Sequence, residues 1–499
     1  MSTAGVRFPD RNGHTSTSGT GRDVFATAAG AADQALADRI AETANWRKGY
    51  VAAVRDVVAV GSRSSRALRE VAQAGLGRIE EEFEFTDGPE TLSAYEAVQA
   101  FAAGPEYVTR TFVGRDELDA AFAVPVDGEE RSGDALRSIL RQWWNDDVVE
   151  RSFVHALDSL IDQPQWLDLS GVNVILLGAG AELSPLRQLL QWGATVYAID
   201  IPSPSTWQRI LKAVEGTAGT LHVPIPASSA ESTNSDETAA VAGIDLIAAA
   251  PSAARWLSTV PSGPTVLANY GYADGADNAR LSVACDAIAA ALMKERGTKD
   301  FTLAYLATPT DAFQVPSDVV AAAREKWSHK RVARLTRLPL KPVNLYQPNY
   351  QYTVLDDQDR EVGIADCLIE QQGPNYVLAK RLQHWRGIVA REQGFRVSLN
   401  VAPATRTKSV TKNRVLAAAY DGAGLFGVKV FDPDTTRALM AGILVRDLRD
   451  ERSSANPSRE LTHPSELISD AAAHGGLWRV GYDPRSVLSV AALVGFARP

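Results

Sequence analysis

The spacing of apolar residues separates the chain into a helical part and a part with short apolar runs. Between residues 27 and 163, apolar side chains recur every three or four positions, which is typical of amphipathic helices. We therefore expect a mainly helical N-terminal domain over residues 27–165, which packs on another domain or, in a homo-oligomer, on a second copy of the chain. Residues 1–26 are rich in Gly, Ser and Thr and lack an apolar segment, so we predict a disordered lead-in there rather than a signal peptide.

From residue 170 onward, apolar runs of five to eight residues alternate with helical segments. Runs of this length are typical of strands buried on both faces of a parallel sheet. We predict six strands, at residues 173–177, 195–199, 220–226, 243–250, 265–269 and 301–307. We place helices at residues 184–192 and 278–296. This alternation predicts an α/β fold with a doubly wound, mostly parallel Rossmann-like sheet over residues 170–325.

A glycine turn follows the first of these strands. Gly178 and Gly180 allow a close approach of a ligand to the backbone, and the helix after them directs free N–H groups to the same place. Asp200 stands at the tip of the second strand, where an acid commonly accepts hydrogen bonds from a ribose. The nucleotide-binding pattern asks for a third glycine where Leu183 stands. The alternative interpretation is a tight turn that binds no nucleotide.

Residues 326–352 are predicted to be a linker, since their prolines discourage regular structure. They contain a basic cluster that is either a solvated helix face or a site for a phosphate or an acidic partner. The cluster comprises Lys326, His329, Lys330, Arg331, Arg334 and Arg337.

The remaining residues, 353–499, are predicted to form an α/β C-terminal domain. Tyr376 and Lys380 lie four positions apart on a predicted helix, and a strand and a turn with Pro403, Thr405 and Thr407 follow. The same order of helix, strand and proline-containing turn occurs over residues 278–310. The domain is therefore interpreted as a diverged repeat of the Rossmann half, although so short a Tyr-x-x-x-Lys match also arises by chance.

Composition narrows the classes of function. A chain of 499 residues with 45% apolar and 22% charged residues is an ordinary globular protein of two or three domains. The net charge of −9 argues against a nucleic-acid partner. Two cysteines indicate a reducing, cytoplasmic setting, and the abundance of Ala and Arg indicates a bacterial source. The apolar run at residues 487–496 is too short to span a membrane, and the seven histidines form no metal-ligand pattern.

Residues 243–313 resemble the short-chain dehydrogenase/reductase family. That family carries Asn-Asn-Ala-Gly after strand four, Ser after strand five, a Tyr-x-x-x-Lys helix, and a Thr after strand six. Counting the predicted strands, those positions fall on residues 248–251, on Asn269, on Leu281 with Cys285, and on Thr308-Pro309-Thr310. The resemblance therefore implies that the usual Tyr and Lys are replaced by Leu281 and Cys285.

The resemblance implies an oxidoreductase that acts on a small carbonyl or alcohol substrate with NAD or NADP. Gly178, Gly180, Asp200 and Asn269 are the predicted cofactor residues, and the carboxylate of Asp200 favours NAD because it repels a 2′-phosphate. Tyr376 as proton donor, with Lys380 as its electrostatic partner, is the predicted catalytic pair.

Two alternatives remain open. The first is an S-adenosylmethionine-dependent methyltransferase, which shares the glycine turn and the ribose-binding acid but usually has an acid near Leu176 or Leu177. The second is a catalytically degenerate scaffold that binds a nucleotide or a partner. We predict no metal site for any of these functions.

Overall fold

The computed structural model describes residues 4–11, 13–100, 106–231, 234–329 and 346–497. Its centre is a seven-stranded sheet, of which six strands are parallel. In chain order these six are β9 Asn173–Leu177, β10 Thr195–Ile199, β11 Thr220–Pro226, β12 Thr265–Asn269, β13 Phe301–Ala307 and β17 Arg396–Val401. The seventh strand, β6 Tyr107–Val113, pairs antiparallel with β11 at one edge. This confirms the predicted α/β class and the mostly parallel, doubly wound sheet.

The order of the strands across the sheet is β17-β13-β12-β9-β10-β11-β6. The chain therefore builds outward from β9 in one direction through β10 and β11, and in the other through β12, β13 and β17. Counted along the chain, the parallel strands follow the order 3-2-1-4-5-6 of dinucleotide-binding sheets. The two directions separate between β9 and β12, where such sheets open a crevice at the carboxyl ends of the strands.

The predicted strand at residues 243–250 is wrong, because helix α11 Leu246–Leu257 occupies this region. The Asp245 carboxylate accepts hydrogen bonds from the N–H groups of Ile247 and Ala248, which caps the helix. The alanines that follow are strong helix formers. The strands after this point are therefore shifted by one place: β12 is the fourth parallel strand and β13 is the fifth.

Two separate hydrophobic cores lie on the two faces of the sheet. Ile175 and Leu177 of β9 point into one core, and Val174 and Leu176 point into the other, as the alternation of a strand requires. The helices between the sheet strands are α8 Leu186–Gln191, α9 Pro204–Lys212, α10 Ser235–Val241, α11, α12 Ala276–Arg296, α13 Ser317–His329 and α14 Pro374–Glu392.

The segment before β9 contributes to both faces. It contains α1 Thr17–Gly30, α2 Gln34–Ala41, α3 Trp46–Gly61, α4 Ser65–Glu82, α5 Ala94–Gln99, α6 Gly133–Asn145 and α7 Arg151–Asp162. Its strands besides β6 are β1 Gly5–Arg7, β2 Asp10–Arg11, β3 His14–Thr15, β4 Glu84–Asp87, β5 Glu90–Ser93, β7 Ala123–Val126 and β8 Glu129–Ser132. Helices α1 to α5 share a core with α12 and α14, whereas α6 and α7 join the opposite core. The structure thus differs from the predicted single helical domain at residues 27–165.

The described part of the predicted disordered lead-in, residues 4–11 and 13–26, is ordered. Strand β1 pairs with β4, and the side chains of Val6, Val24 and Phe25 are buried. Ser16 caps α1 by accepting the N–H of Gly19. The prediction failed because the Ser/Thr/Gly-rich composition marked this helix start as a flexible segment.

The N-terminal helices are tied directly to α12 and α14. Gly75 of α4 lies against the Trp385 ring so closely that a Cβ at position 75 would be 2.4 Å from the ring. Nearby, the buried guanidinium of Arg386 forms a bidentate pair with Asp286, at 2.8 and 2.7 Å. The Tyr95 hydroxyl donates to the same carboxylate at 2.6 Å. These contacts fix the position of α14 with respect to the N-terminal layer.

Residues 353–499 do not form a separate domain, because their strand β17 is the sixth parallel strand of the main sheet. The remaining strands, β14 Ala312–Val315, β15 Val354–Leu355 and β16 Glu361–Asp366, form a small antiparallel sheet. The remaining helices are α15 Lys408–Lys412, α16 Arg414–Gly422, α17 Pro433–Arg449, α18 Glu466–Ser469 and α19 Pro484–Phe496. Residues 278–310 and the stretch from Pro374 to Thr407 thus contribute strands to one sheet.

Part of the predicted linker continues helix α13, in which Lys326 pairs with Asp147 at 2.6 Å. Lys330, Arg331, Arg334 and Arg337 of the basic cluster lie outside the described residues, as does the His329 side chain. Across the described ranges, no helix combines the length and apolar character that crossing a membrane requires.

Candidate functional site

The carboxyl ends of β9 and β12 meet at the point where the sheet changes direction. Leu177 and Asn269 are partners in register, and the N–H of Tyr270 donates to the Leu177 carbonyl at 2.8 Å. Gly178 and Asn269 were both predicted from the sequence as cofactor residues. They therefore lie close together at the carboxyl ends of β9 and β12.

The glycine turn, residues 178–184, leaves no room for a side chain at Gly178 or Gly180. Gly178 has φ +80°, and a Cβ there would be 2.7 Å from the Gly271 backbone nitrogen. A Cβ at Gly180 would be 2.7 Å from Cγ2 of Thr206. Glycine is required at both positions by the packing of the protein itself, and the turn lies directly against the loop after β12.

Several N–H groups of the glycine turn are used inside the protein. Those of Gly178 and Ala179 donate to the Ile199 carbonyl at 2.9 and 3.1 Å, and that of Gly180 donates to Oδ2 of Asp200 at 2.7 Å. The N–H groups of Glu182 and Leu183 have no partner among the described residues.

The Ser184 hydroxyl of the same turn is buried and also has no partner among the described residues. It is closed off from the surface, so only the N–H groups of Glu182 and Leu183 are left as donors for a ligand oxygen. The unpaired donors of the turn therefore follow the glycines rather than lying at them.

Asp200 joins the glycine turn to the end of β10. Its second oxygen, Oδ1, accepts the N–H of Ile201 at 2.8 Å. Burial raises the pKa of the Asp200 carboxyl, against the lowering effect of these two hydrogen bonds. Since a carboxylate oxygen accepts more than one hydrogen bond, both oxygens remain able to bind a ribose hydroxyl.

Asn269 shapes the loop after β12. It is 5% exposed, and its Oδ1 accepts the N–H of Gly271 at 3.1 Å. This hydrogen bond holds the backbone turn that lies against Gly178. The side chain thus acts on the crevice by positioning the loop.

Tyr376 and Lys380 lie on α14, which connects the fifth and sixth parallel strands. Gly373 with φ +81° and Pro374 at the first helical position start the helix. The Tyr376 phenol lies close enough to the Thr308 side chain for Thr308 to lower its pKa. Lys380 Nζ donates to the Leu306 carbonyl at 3.0 Å and to Gln383 Oε1 at 3.2 Å. Both side chains therefore lie beside the carboxyl end of β13.

Burial perturbs both ionisable groups of this pair. It raises the pKa of the Tyr376 phenol, an effect that the nearby Thr308 side chain opposes. Burial lowers the pKa of Lys380 to about 8, against the opposing effect of Asp311. At neutral pH the tyrosine is protonated and the lysine is charged, which is the state that a proton donor and its electrostatic partner require.

An apolar pocket of about 70 Å³ adjoins this cluster. Thr310 lines the pocket and accepts a hydrogen bond from Gln372, while its hydroxyl is 3.0 Å from that of Thr308. Tyr420, also in the wall, is close enough to Tyr376 to influence its pKa. Most of the other walls come from α16, α19 and the segment between α16 and α17, including Leu416, Ala419, Val428, Val487 and Leu488.

The segment after β17 lies over the carboxyl ends of the same strands. The Lys408 N–H donates to the Glu182 carboxylate at 2.7 Å, and Arg437 donates to the Glu182 carbonyl at 3.1 and 2.8 Å. Lys412 pairs with Asp274 at 3.5 Å. This segment therefore bridges the loops on the two sides of the crevice.

Leu281 and Cys285 do not occupy the positions of a catalytic pair. They lie on α12, the helix after the fourth parallel strand, and would contact a Cβ at Gly271 at 3.4 and 3.7 Å. Cys285 is buried, which raises its thiol pKa. The prediction that these residues replace the Tyr and Lys followed from the miscounted strand and is wrong.

Two neighbours of Tyr376 are not predicted from the sequence: Thr308, which influences its pKa, and Tyr272, whose ring centroid is 6.3 Å from that of Tyr376. Thr308 could have been predicted from the sequence, since it stands two residues before Thr310 in a proline-containing turn after a strand. The predicted strand count makes this strand, β13, the sixth, whereas it is the fifth parallel strand of the sheet. Among the described residues, no group of three His, Cys, Asp or Glu side chains is arranged to hold a metal ion.

Comparisons with known proteins give little beyond this geometry. No protein-family model and no curated protein matches the chain. Among solved structures, the chain is similar to the terminal R domain from the myxalamid PKS-NRPS biosynthetic pathway, with a TM-score of 0.27 and 10% identity over 61% of this chain and 68% of that domain. A similarity this distant carries no argument about function.

Proposed function

We propose that this protein is a nicotinamide-dependent reductase of the short-chain dehydrogenase/reductase type that acts on a small, apolar carbonyl compound. The observation that carries the proposal is the meeting of Thr308, Tyr376 and Lys380 at the end of the fifth parallel strand. A hydroxyl after strand five and a Tyr-x-x-x-Lys helix before strand six are the features expected of that family. This chain has them in that order.

In the proposed reaction, bound nicotinamide would supply a hydride to the carbonyl carbon. Tyr376 donates its phenolic proton to the carbonyl oxygen, and its raised pKa keeps that proton in place until the substrate binds. The Thr308 hydroxyl orients the phenol. The Lys380 ammonium stabilises the phenolate that forms.

The cofactor residues in this proposal are those around the glycine turn. The N–H groups of Glu182 and Leu183 would hold the pyrophosphate, and Asp200 would accept a ribose hydroxyl. The charge of Asp200 favours NAD over NADP. The loop held by Asn269 would form the opposite wall of the crevice.

The substrate class follows from the apolar pocket next to Thr310. Its walls are almost entirely aliphatic or aromatic, so burial of an apolar substituent supplies the binding free energy. The carbonyl group of such a substrate would lie toward Tyr376 and Thr308.

Two other functions are weaker proposals. A methyltransferase sheet normally ends in an antiparallel seventh strand, whereas the last strand here, β17, is parallel to β13 and the antiparallel strand β6 comes first. A degenerate scaffold is the weaker proposal, because Tyr376 and Lys380 lie on the helix before the sixth parallel strand.

The test begins with calorimetric titration of the purified protein with NAD, NADP and S-adenosylmethionine. We expect binding of a nicotinamide dinucleotide and none of the methyl donor. Reduction of a panel of apolar aldehydes and ketones by NADH and NADPH then tests for turnover. Binding of S-adenosylmethionine alone would overturn the proposal, and binding of none of the three would favour a scaffold.

The Tyr376→Phe variant tests the proton donor. It is expected to lower kcat by about 10²-fold to 10⁴-fold while the dissociation constant of the dinucleotide stays unchanged. Tyr352→Phe is a matched control, because that ring is 51% exposed and lies against Arg55 rather than in this cluster. Equal rates for the two variants would remove Tyr376 from the reaction.

A further inference from the structure

Helices α16 and α19 form a two-helix cap that walls the apolar pocket. They pack tightly, since a Cβ at Gly422 of α16 would be 2.0 Å from the Ala491 carbonyl oxygen of α19. Their contact has a small alanine core, separate from the two cores of the sheet, which consists of Ala418, Ala419, Ala491 and Ala492. The apolar pocket therefore lies at the junction between this cap and the rest of the protein, which is a common place for ligand sites.

The polar side chains in the wall are available to a ligand only at the end next to Tyr376. Thr310 and Tyr420 lie toward that end. The other two described polar groups of the wall have backbone partners: the Tyr482 hydroxyl donates to one carbonyl, and Cys367 Sγ is 4.0 Å from another carbonyl oxygen. A substituent that extends away from Tyr376 must therefore be a hydrocarbon, because a polar group would lose its hydrogen bonds to water without replacement.

The size of that hydrocarbon group follows from the volume of the pocket. An apolar cavity of about 150 Å³ inside a protein stays dry and holds one benzene ring. The apolar pocket, of about 70 Å³, has roughly half of that volume. It therefore has room for a group of roughly three carbon atoms, such as propyl, and excludes a six-membered carbon ring.

Leu488 is the side chain through which the cap limits this volume. Phe426 and Leu488 are the large side chains packed against the alanine core, and both line the pocket. Phe426 also packs against one core of the sheet, whereas Leu488, among the described residues, packs against the alanine core and neither sheet core. Truncation of Leu488 to alanine removes an isopropyl group, which is about as large as the group that the pocket holds. The truncation thus makes room for a ring without a loss of contacts in the main cores.

We propose that the apolar pocket admits an unsubstituted alkyl group of about three carbon atoms, and that Leu488 sets this upper limit. The limit is a property of the pocket, whereas its use in selecting substrates rests on the proposed reductase function. In that reaction 2-pentanone places its propyl group beneath the cap and its carbonyl toward Tyr376. Acetophenone is excluded by its ring.

The size limit is tested by ligand binding, without cofactor or turnover. A ligand that binds only the folded protein raises its Tm. We expect 2-pentanone, and not benzene, to raise the Tm of the wild type by about 1–2 °C, and benzene to do so in Leu488→Ala. Leu493→Ala is the matched control and should behave as the wild type, since it makes the same change on the same helix at a side chain that is 69% exposed.

The opposite change at the same position keeps the test decisive if Leu488→Ala fails to fold. Leu488→Phe fills the pocket, so 2-pentanone should no longer raise the Tm of this variant. The proposal is overturned if benzene stabilises the wild type as much as 2-pentanone does. It is also overturned if neither Leu488 variant differs from the wild type in its response to the two ligands.

Turnover tests the selection of substrates. The ratio of kcat/KM for acetophenone to that for 2-pentanone is expected to rise about 10-fold to 100-fold in Leu488→Ala and to stay within about twofold in Leu493→Ala. Equal ratios in the two variants would show that Leu488 does not select the substrate. If the wild type reduces no carbonyl probe, the proposed function fails, and the Tm measurements with 2-pentanone and benzene still decide whether the pocket has this size limit.

Discussion

The backbone N–H of Gly180 donates a 2.7 Å hydrogen bond to Oδ2 of Asp200, which joins the glycine turn to the tip of the second parallel strand. The charge at this position is therefore placed by the turn itself. Asp200→Asn removes the charge and keeps one oxygen acceptor. We expect the ratio of NADP to NAD affinity to rise at least about fivefold, or about 1 kcal/mol, because the repulsion of a 2′-phosphate is lost.

Calorimetry with both dinucleotides measures this ratio. Asp274→Asn is the control, since Asp274 is an exposed carboxylate on the neighbouring loop. An unchanged ratio in the Asp200 variant would separate Asp200 from the ribose site.

Gly178 combines a positive φ with close backbone packing, and Gly128 has the first property without the second. Their φ angles are +80° and +82°, but only a Cβ at position 178 would meet other atoms within 4 Å. Gly128→Ala is expected to cost about 1 kcal/mol of unfolding free energy from backbone strain alone. Gly178→Ala is expected to cost about 3 kcal/mol or more and to abolish dinucleotide binding.

Urea denaturation of both variants, with calorimetry for binding, makes this comparison. Equal costs at the two positions would mean that the Gly271 loop moves away easily from the glycine turn.

Lys380 is expected to make stability depend on pH. Its pKa of about 8 in the folded protein lies below that of an unfolded chain, near 10.4, so the unfolded state binds more protons between these values. The unfolding free energy of the wild type relative to Lys380→Met should therefore rise as the pH increases from about 8 to 10.

Denaturation at four pH values across this window measures the slope. Lys299→Met, a change at an exposed lysine, supplies the baseline. A difference between wild type and Lys380→Met that is independent of pH would show that the Lys380 ammonium is hydrated as in the unfolded chain.

The Asp286–Arg386 pair is expected to be critical for stability, since both side chains are buried. Asp286→Asn leaves the guanidinium without its full counter-charge and should cost about 3–5 kcal/mol of unfolding free energy. The exposed Arg66–Glu70 pair gives the comparison, and Glu70→Gln should change the unfolding free energy by at most about 0.5 kcal/mol. A loss below 1 kcal/mol for Asp286→Asn, seen by chemical denaturation, would contradict the structural role.

Helices α16 and α19 pack closely against each other at glycine residues beside the apolar pocket. A Cβ at Gly495 would be 1.8 Å from the Ala418 carbonyl oxygen, whereas one at Gly424 would meet nothing within 4 Å. Gly495→Ala should push the helices apart, lower the unfolding free energy by about 1–3 kcal/mol and raise the KM for apolar carbonyl compounds. Gly424→Ala should leave both quantities unchanged. A normal KM in the Gly495 variant would separate this helix pair from substrate binding.

The sequence predicted the sheet well where strand and turn signals agreed. Residues 173–177 and 195–199 are strands as predicted, with the glycine turn between them. The apolar run at residues 243–250 had no period that could distinguish a strand from a buried helix, and only the capping position of Asp245 indicated a helix.

That single error had a large effect on the interpretation of the site. It moved the count of later strands by one, so Leu281 and Cys285 were compared with a helix to which they do not correspond. Tyr376 and Lys380 were predicted from their spacing alone, and the structure places both side chains beside the end of β13. The spacing did not show that the long connection between β13 and β17 places α14 next to Thr308.

The packing of Gly75 against Trp385 has a consequence for protein engineering. The helix that carries Tyr376 and Lys380 packs against the N-terminal layer through this contact and through Tyr95. A shortened protein that begins at β9 would keep every residue of the nucleotide crevice and yet expose the apolar side of α12 and α14 to water. Residues 4–11 and 13–100 are therefore an internal scaffold of α14, and a shortened protein with the proposed activity must retain them.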